Sequence, residues 1–351
     1  MKVYKFNIER LVKIIRFYFA AMLIVLPTIY LQAAGIEAQV FGEVGTGISI
    51  HELGGVLIAN SGIFRASEIA AWHVAAAACF IILLLTERRP TIARSLVALA
   101  IVLVLVGIGV STGRRKFIVI IALFSCTYAA LSMFFLRKSA VVLIGAIIVA
   151  AFGYLAGASL FGSDPNDMLL RTPEYDRYVA RTGGVFGEVP DRFMELGLAP
   201  ILWAYEHFGI WGGGLGIATQ GVQNFIPDAA HLGAGEGGLG KIMLELGVPG
   251  IALIAMLGLA LARHIWGILK FISRYSDRAT RLACGILAFL IANAASFSVA
   301  TQAFGDVFIL IIFGHCLGFL LALPVLVQGT VLNVNESSEH LRSLVSATGR
   351  L

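Results

Sequence analysis

The sequence predicts an all-α integral membrane protein of about eight transmembrane helices, with one large outer loop between the fifth and sixth spans. Three observations carry that expectation. Of the 351 residues, 58% are apolar and only 13% are charged, and the mean hydropathy is +0.88, a balance outside the range of soluble domains. Apolar runs recur at about the 20-residue length that a helix needs to cross a bilayer. The connections on one side of these runs are consistently basic, as the orientation of membrane helices demands.

Crossings are expected at 17–34, 68–86, 92–111, 117–136, 139–160, 246–262, 282–302 and 305–327. Lys2, Lys5, Arg10, Lys13 and Arg16 precede the first run, which puts the N-terminus in the cytoplasm. That run also has the outline of a signal peptide. Its basic region is long, however, and Leu31-Gln32-Ala33 departs from a small-x-small cleavage site, so we read it as a retained span. The outer loop 35–67 is long for a connector and is expected to lie on the membrane surface. The inner connections carry Arg88, Arg89 and Arg94, then Arg137 and Lys138, then Arg263 through Lys270 with Arg274, Arg278 and Arg281. Residues 328–351 form a polar cytoplasmic tail, and residues 1–351 read as a single polytopic membrane domain.

The formal net charge of +5 would suggest nucleic acid in a soluble protein. Here topology absorbs most of the cations, so no nucleic-acid partner is expected. Cys79, Cys126, Cys284 and Cys316 all lie in apolar runs, which fits packing rather than disulfides or a thiolate metal site.

The positive-inside pattern breaks on the outer side. Arg114, Arg115 and Lys116 fall in a short outer turn, and Arg171, Arg177, Arg181, Arg192 and Lys241 fall in or beside the outer loop 161–244. Cations that orientation does not explain point to an anionic ligand such as a phosphate or pyrophosphate. The alternative is pairing with Asp164, Asp167, Glu174, Asp176, Glu188, Asp191 and Glu195. Pairing accounts for the loop arginines better than for Arg114 and Arg115, which have no acid near them in the sequence.

Within the outer loop, Pro190 to Phe208 has the apolar spacing of a helix lying along the membrane surface. The glycine run Gly212, Gly213, Gly214 and Gly216 follows, then His231, Glu236 and Lys241 ahead of the sixth span. Glycines let backbone N–H groups approach an anion, and a helix starting near Glu236 would aim its positive end the same way. His231 beside such a site has the chemistry of a general base; the plainer reading makes the glycines turns and His231 a surface residue. Gly235-x-x-x-x-Gly240-Lys241 imitates a phosphate-binding loop, but Ile242 replaces the Ser/Thr and no strand precedes it. His51-Glu52 lacks the second histidine of a zinc motif, and no Gly-x-Ser-x-Gly elbow is present. His73 and His315 fall within spans, where a polar side chain has either a bonding partner or a functional role. His207 belongs to the surface helix, His264 to the cytoplasmic side, and Asp306 reads as a cap or an ion-pair partner.

In their order along the chain these elements resemble the O-antigen ligase and O-antigen polymerase family. Gly62 to Ala70 is similar to the family's G-x-F-x-x-x-x-x-A entry to a span, and Ser111-Thr112-Gly113-Arg114-Arg115 to its Ser-x-Ser-Arg-Gly turn. Arg181, Arg192 and Trp211 to Gly216 resemble its loop arginines and P-x-x-G-x-G-x-G stretch. Ala230-His231, with Leu244 to Gly250, resembles its H-N … E-x-G-x-x-G signature. The set covers about two thirds of the chain. Leu232 replaces the usual Asn, the turn reads Gly-Arg-Arg, Glu236 is additional, and family members carry several more spans ahead of the first motif.

The resemblance implies a GT-C-like, metal-independent, inverting glycosyltransferase of the bacterial inner membrane, without a cofactor. Its partners would be an undecaprenyl-diphosphate-linked glycan, membrane lipid and other polysaccharide assembly proteins. Arg114 or Arg115, with Arg181, Arg192 and Lys241, would bind the pyrophosphate. His231 or Glu236 would take the proton of the acceptor hydroxyl. The acceptor is another repeat unit in a polymerase, slightly preferred here because of the His-Leu and Glu236 departures, or lipid A core in a ligase. Readings of another class are a transporter or flippase of an anionic lipid-linked substrate, and a non-catalytic scaffold.

Overall fold

The structure, a computed structural model, describes residues 8–36, 38, 40–41, 49–52, 55–87, 91–136, 190–218 and 237–348. Among the described residues it is built mainly of α-helices, six of them long and apolar enough to cross a membrane. The chain is a multi-pass α-helical membrane protein. A shorter apolar helix, Leu96–Ser111, coincides with the expected span at 92–111. The expected span at 139–160 lies outside the described residues.

The first crossing comprises α1 (Ile8–Val25) and α2 (Pro27–Ala33), joined at Leu26. The helix begins nine residues before the expected start at 17. Arg10, Lys13 and Arg16 therefore lie on α1 rather than ahead of it, facing outward, while Leu11, Val12, Ile15 and Phe19 form its buried stripe. Pro27 sits at the start of α2, where its missing N–H costs nothing. The segment between α2 and the next helix contains a small antiparallel hairpin, β1 (Ser49–Glu52) and β2 (Gly55–Ile58), with Ser49 opposite Ile58.

The helix α3 (Ser67–Thr86) is the axis of the bundle, buried along nearly its whole length and in contact with α1, α4 (Ile92–Ser111), α5 (Lys116–Leu136) and the later helix Asp277–Val299. Its alanines, Ala70, Ala71 and Ala75 to Ala78, let neighbouring backbones come close, which is how membrane helices gain dispersion contacts. Further along the chain come α6 (Ala199–Phe208), α7 (Gly238–Ile272), α8 (Asp277–Val299), a 3-10 turn (Gln302–Gly305) and α9 (Val307–Thr348). The tail expected at 328–351 continues the α9 helix as far as Thr348.

Three pairs fix the register of α3 against α8. Trp72 Nε1 donates to Asn293 Oδ1 at 2.7 Å, Gly285 lies against Leu83, and Glu87 meets Arg278. The two helices are antiparallel, so the start of α3 and the end of α8 share one end of the bundle. Around them an aromatic cluster of Trp72, Phe80, Phe289, Phe304 and Phe313 fills the interior. Cys79, Cys284 and Cys316 are buried as expected, but Cys126 is exposed on α5 and is not a core packing residue.

At the opposite end, the cations read as topology signals also hold helices together. The Glu87 side chain is 1% exposed and accepts from Arg16 at 3.0 Å and from Arg278 at 2.9 Å; Arg278 also pairs with Glu9. One buried carboxylate thus ties α1, α3 and α8. Replacing Glu87 by Gln is expected to cost about 2 kcal/mol by removing the buried anion that Arg16 and Arg278 share, Arg278 keeping Glu9. Arg16→Ala is expected to cost under about 1 kcal/mol, because that side chain is 53% exposed. Thermal unfolding in detergent measures both.

Candidate functional site

The end of the bundle shared by the start of α3 and the end of α8 gathers the motifs singled out in the sequence. The loop before α3 is tied down by side chains from elsewhere. Gln32 Oε1 accepts from the backbone N–H groups of Ser61 at 2.9 Å and Gly62 at 2.7 Å, and Asn60 Nδ2 donates to Ser111 O at 2.8 Å. Gly62 has φ +59, and a Cβ there would stand 2.4 Å from Thr28 Oγ1, so this glycine is required by a positive φ and by the close crossing of α2. Asn60 thereby links the entry motif to the turn between α4 and α5.

Arg114 occupies that turn. Its Nη1 lies 2.8 Å from Glu68 Oε1, and its Nε donates to Ser67 Oγ at 3.0 Å. The two side chains are 19% and 12% exposed, a pair at the boundary between interior and surface. The expectation that Arg114 has no nearby acid is corrected here: its partner is one helix away in space but far off in the chain. Arg115 is half-buried beside it, at the entry to α5.

Lys241 is in the first turn of α7, and its Nζ donates to Thr301 Oγ1 at 2.8 Å. Thr301 precedes the 3-10 turn, which packs against α3. Arg192 is exposed at the start of a π-helical turn, Phe193–Leu198, that leads into α6. The helix expected over Pro190 to Phe208 is present. Gly197 and Ala204 are buried along it, while Met194, Leu198, Leu202 and Tyr205 face outward as a continuous apolar stripe. Arg114, Arg115, Lys241 and Arg192 are thus carried by elements at one end of the bundle. His231, Glu236 and Arg181 lie outside the described residues.

The glycine run and the Leu244 to Gly250 stretch meet through backbone contacts. At Gly247 (φ 64, ψ −158) α7 breaks, and the chain after α6 crosses it there. Gly213 N donates to Leu244 O at 2.6 Å and Val248 N to Ile210 O at 2.8 Å. The N–H of Gly213 is therefore used within the protein. A Cβ on Gly212 would stand 2.7 Å from Gly247 N, and one on Gly247 2.1 Å from Ile210 O. These two glycines allow two backbones to touch. The start of α7 is Gly238, with Gly237 at its cap, close to Glu236 as expected. A Cβ on Gly237 would meet Leu196 O at 1.9 Å, and one on Gly240 would meet Pro200 at 2.5 Å. Gly240, the second glycine of the segment that imitates a phosphate loop, is thus a packing contact.

Compared with known proteins, the chain matches no family model, no curated protein and no solved structure.

The remaining expectations resolve individually. Asp306 caps α9, its Oδ1 accepting from the backbone N–H groups of Phe308 at 2.9 Å and Ile309 at 3.2 Å. His73 is buried, bonded through Nδ1 to the Tyr18 hydroxyl at 2.8 Å and stacked on Phe64. His315 bonds to Ile311 O at 2.8 Å, and His207 to Trp203 O at 2.8 Å. Among the described residues no three His, Cys, Asp or Glu side chains stand together as a metal-binding group. Glu68 and Thr301 are the site residues that sequence reasoning missed. The signal for Glu68 was present, an acid in the first turn of a span on the side rich in unexplained arginines.

Chemically, this end offers a guanidinium held in place by an acid and a hydroxyl, with an ammonium and further guanidinium groups on neighbouring elements. Guanidinium and ammonium groups are the side chains chemically suited to pairing with phosphate oxygens.

Proposed function

We propose that this chain transfers a glycan from an undecaprenyl-diphosphate carrier to an acceptor hydroxyl at the outer, periplasmic face of a bacterial inner membrane. The observation that carries the reading is Arg114, held between Glu68 and Ser67 at the end of the bundle that also bears Lys241 and Arg192. The resemblance to O-antigen ligases and polymerases supports it through the same residues. Arg114 and Arg115, with Arg181, Arg192 and Lys241, bind the diphosphate and stabilise it as it leaves. His231 or Glu236 accepts the proton of the attacking hydroxyl. A diphosphate needs little protonation to depart, so attack from the opposite face inverts the anomeric centre. The N-terminus is then cytoplasmic, with Glu87, Arg16 and Arg278 on the inner side. A polymerase that joins repeat units is preferred to a ligase acting on lipid A core.

One observation favours a second reading. Buried His73, paired with Tyr18 inside the bundle, is the kind of intramembrane group that lines a transport path. On that reading the chain moves an anionic lipid-linked substrate across the membrane.

Deletion of the gene in its host separates the readings through the surface polysaccharide length distribution. Single-repeat caps or lost polymer, restored by wild type but not by expressed His231→Ala, are expected of a polymerase. Polymer accumulating on its lipid carrier indicates a ligase. Restoration by His231→Ala and Arg192→Ala alike contradicts transfer chemistry at this site.

A further inference from the structure

We infer that Glu68 is a positioning residue for diphosphate binding, holding the Arg114 guanidinium at the mouth of the bundle before the carrier arrives. The inference rests on the transfer reading and adds a residue to it. Ser67 and Glu68 form the first turn of α3, the best-buried helix of the bundle, so their side chains are displayed from a rigid base. Arg114 lies across the turn between α4 and α5, and that turn is itself fixed. Thr112 Oγ1 accepts from the Arg114 backbone N–H at 3.2 Å and donates to Gly109 O at 2.6 Å, while Asn60 anchors Ser111.

Both ends of the contact are therefore immobilised, and the guanidinium is gripped at two different nitrogens, Nη1 by the carboxylate and Nε by the hydroxyl. An arginine free to rotate loses rotamer entropy worth about 2 kcal/mol, or roughly 30-fold in affinity, when a ligand orders it. Here Glu68 and Ser67 have already ordered it. The orientation of the acid also suits its place, because a carboxylate in the first turn of a helix is stabilised by the positive helix end. Glu68 acts on the carrier only through Arg114. It repels a diphosphate weakly, since its charge is matched at 2.8 Å by the guanidinium.

The test uses the full chain in lipid nanodiscs, with undecaprenyl diphosphate as the probe and undecaprenyl monophosphate as the comparison. Arg114→Ala is expected to weaken diphosphate binding by about 30-fold or more, and Glu68→Gln by about 10-fold. In the Arg114→Ala background, Glu68→Gln is expected to have no further effect, because the residue it positions is gone. Ser67→Ala removes the Nε contact while leaving the Glu68 carboxylate, and is expected to cost about 3-fold, again only when Arg114 is present. It carries the test if Glu68→Gln does not fold.

Wild-type affinity or tighter binding in Glu68→Gln overturns the proposal, the latter by showing that repulsion outweighs positioning. So does an equal loss in both backgrounds, which marks Glu68 as purely structural. If Arg114→Ala itself binds as wild type, the diphosphate reading of Arg114 fails first and the positioning role falls with it.

Discussion

Arg114→Ala is expected to slow glycan transfer by about 100- to 1,000-fold in a purified, reconstituted assay, the loss seen when one preorganised donor to a developing negative charge is removed. The effect belongs to the chemical step because the diphosphate gains charge as the glycosidic bond breaks, and Arg114 waits for it already ordered by Glu68 and Ser67. Arg114→Lys is expected to recover only part of the rate. A lysine ammonium keeps the charge but has no planar fork to engage Glu68 and Ser67 from different edges while facing the ligand. The stability loss is expected to be small beside the rate loss, about 1 kcal/mol, because the ion pair is at the surface boundary and not in the core. Initial rates of carrier release, with thermal unfolding of the same samples, check both parts. A rate within about 3-fold of wild type removes Arg114 from the machinery.

The second large effect concerns the fold that holds the site. Gly247→Ala is expected to destabilise the protein by about 4 kcal/mol and to deplete folded protein in detergent extracts. Two costs combine there. A φ of +64 with ψ near −158 is a region that only glycine enters readily. The added methyl would also meet Ile210 O at 2.1 Å and Trp211 C at 2.5 Å, backbone atoms that cannot turn aside as a side chain does. Gly258→Ala, in the same helix but with nothing within 4 Å of the new methyl, is expected to stay within about 1 kcal/mol of wild type. Unfolding temperatures of the two variants measured side by side check the contrast. Comparable stability would mean that the crossing of the two glycine segments is not under the constraint described.

The membrane class was legible in the sequence because long apolar runs and the basic connections between them are local signals. What those signals missed is tertiary. The start of α1 at Ile8 was hidden because its charged residues occupy the exposed side of a helix whose other side, Leu11 to Phe19, is buried. The length of α7 was hidden because its break at Gly247 is stabilised by a different segment, Ile210 to Gly213, and not by anything in the helix itself.

The candidate site divides the same way. Arg114 stood out because topology gives no reason for a cation there, whereas Glu68 did not, since 47 residues separate Ser67 from Arg114 in the chain and only the packing of α3 against the turn joins them. Of the glycines at 212–216 and 247, Gly212 and Gly247 allow close backbone approach between two stretches of this chain, whereas a Cβ on Gly214 or Gly216 would meet nothing within 4 Å. The roles of His231, Glu236 and Arg181 are read from the sequence.

The most direct test is a transfer reaction with the purified chain in liposomes, supplied with an undecaprenyl-diphosphate-linked repeat unit and chelator but no nucleotide. The account predicts products extended by at least one repeat, joined with inverted anomeric configuration, together with release of undecaprenyl diphosphate that Arg114→Ala largely abolishes. Movement of the lipid-linked unit between leaflets with no new glycosidic bond would contradict it.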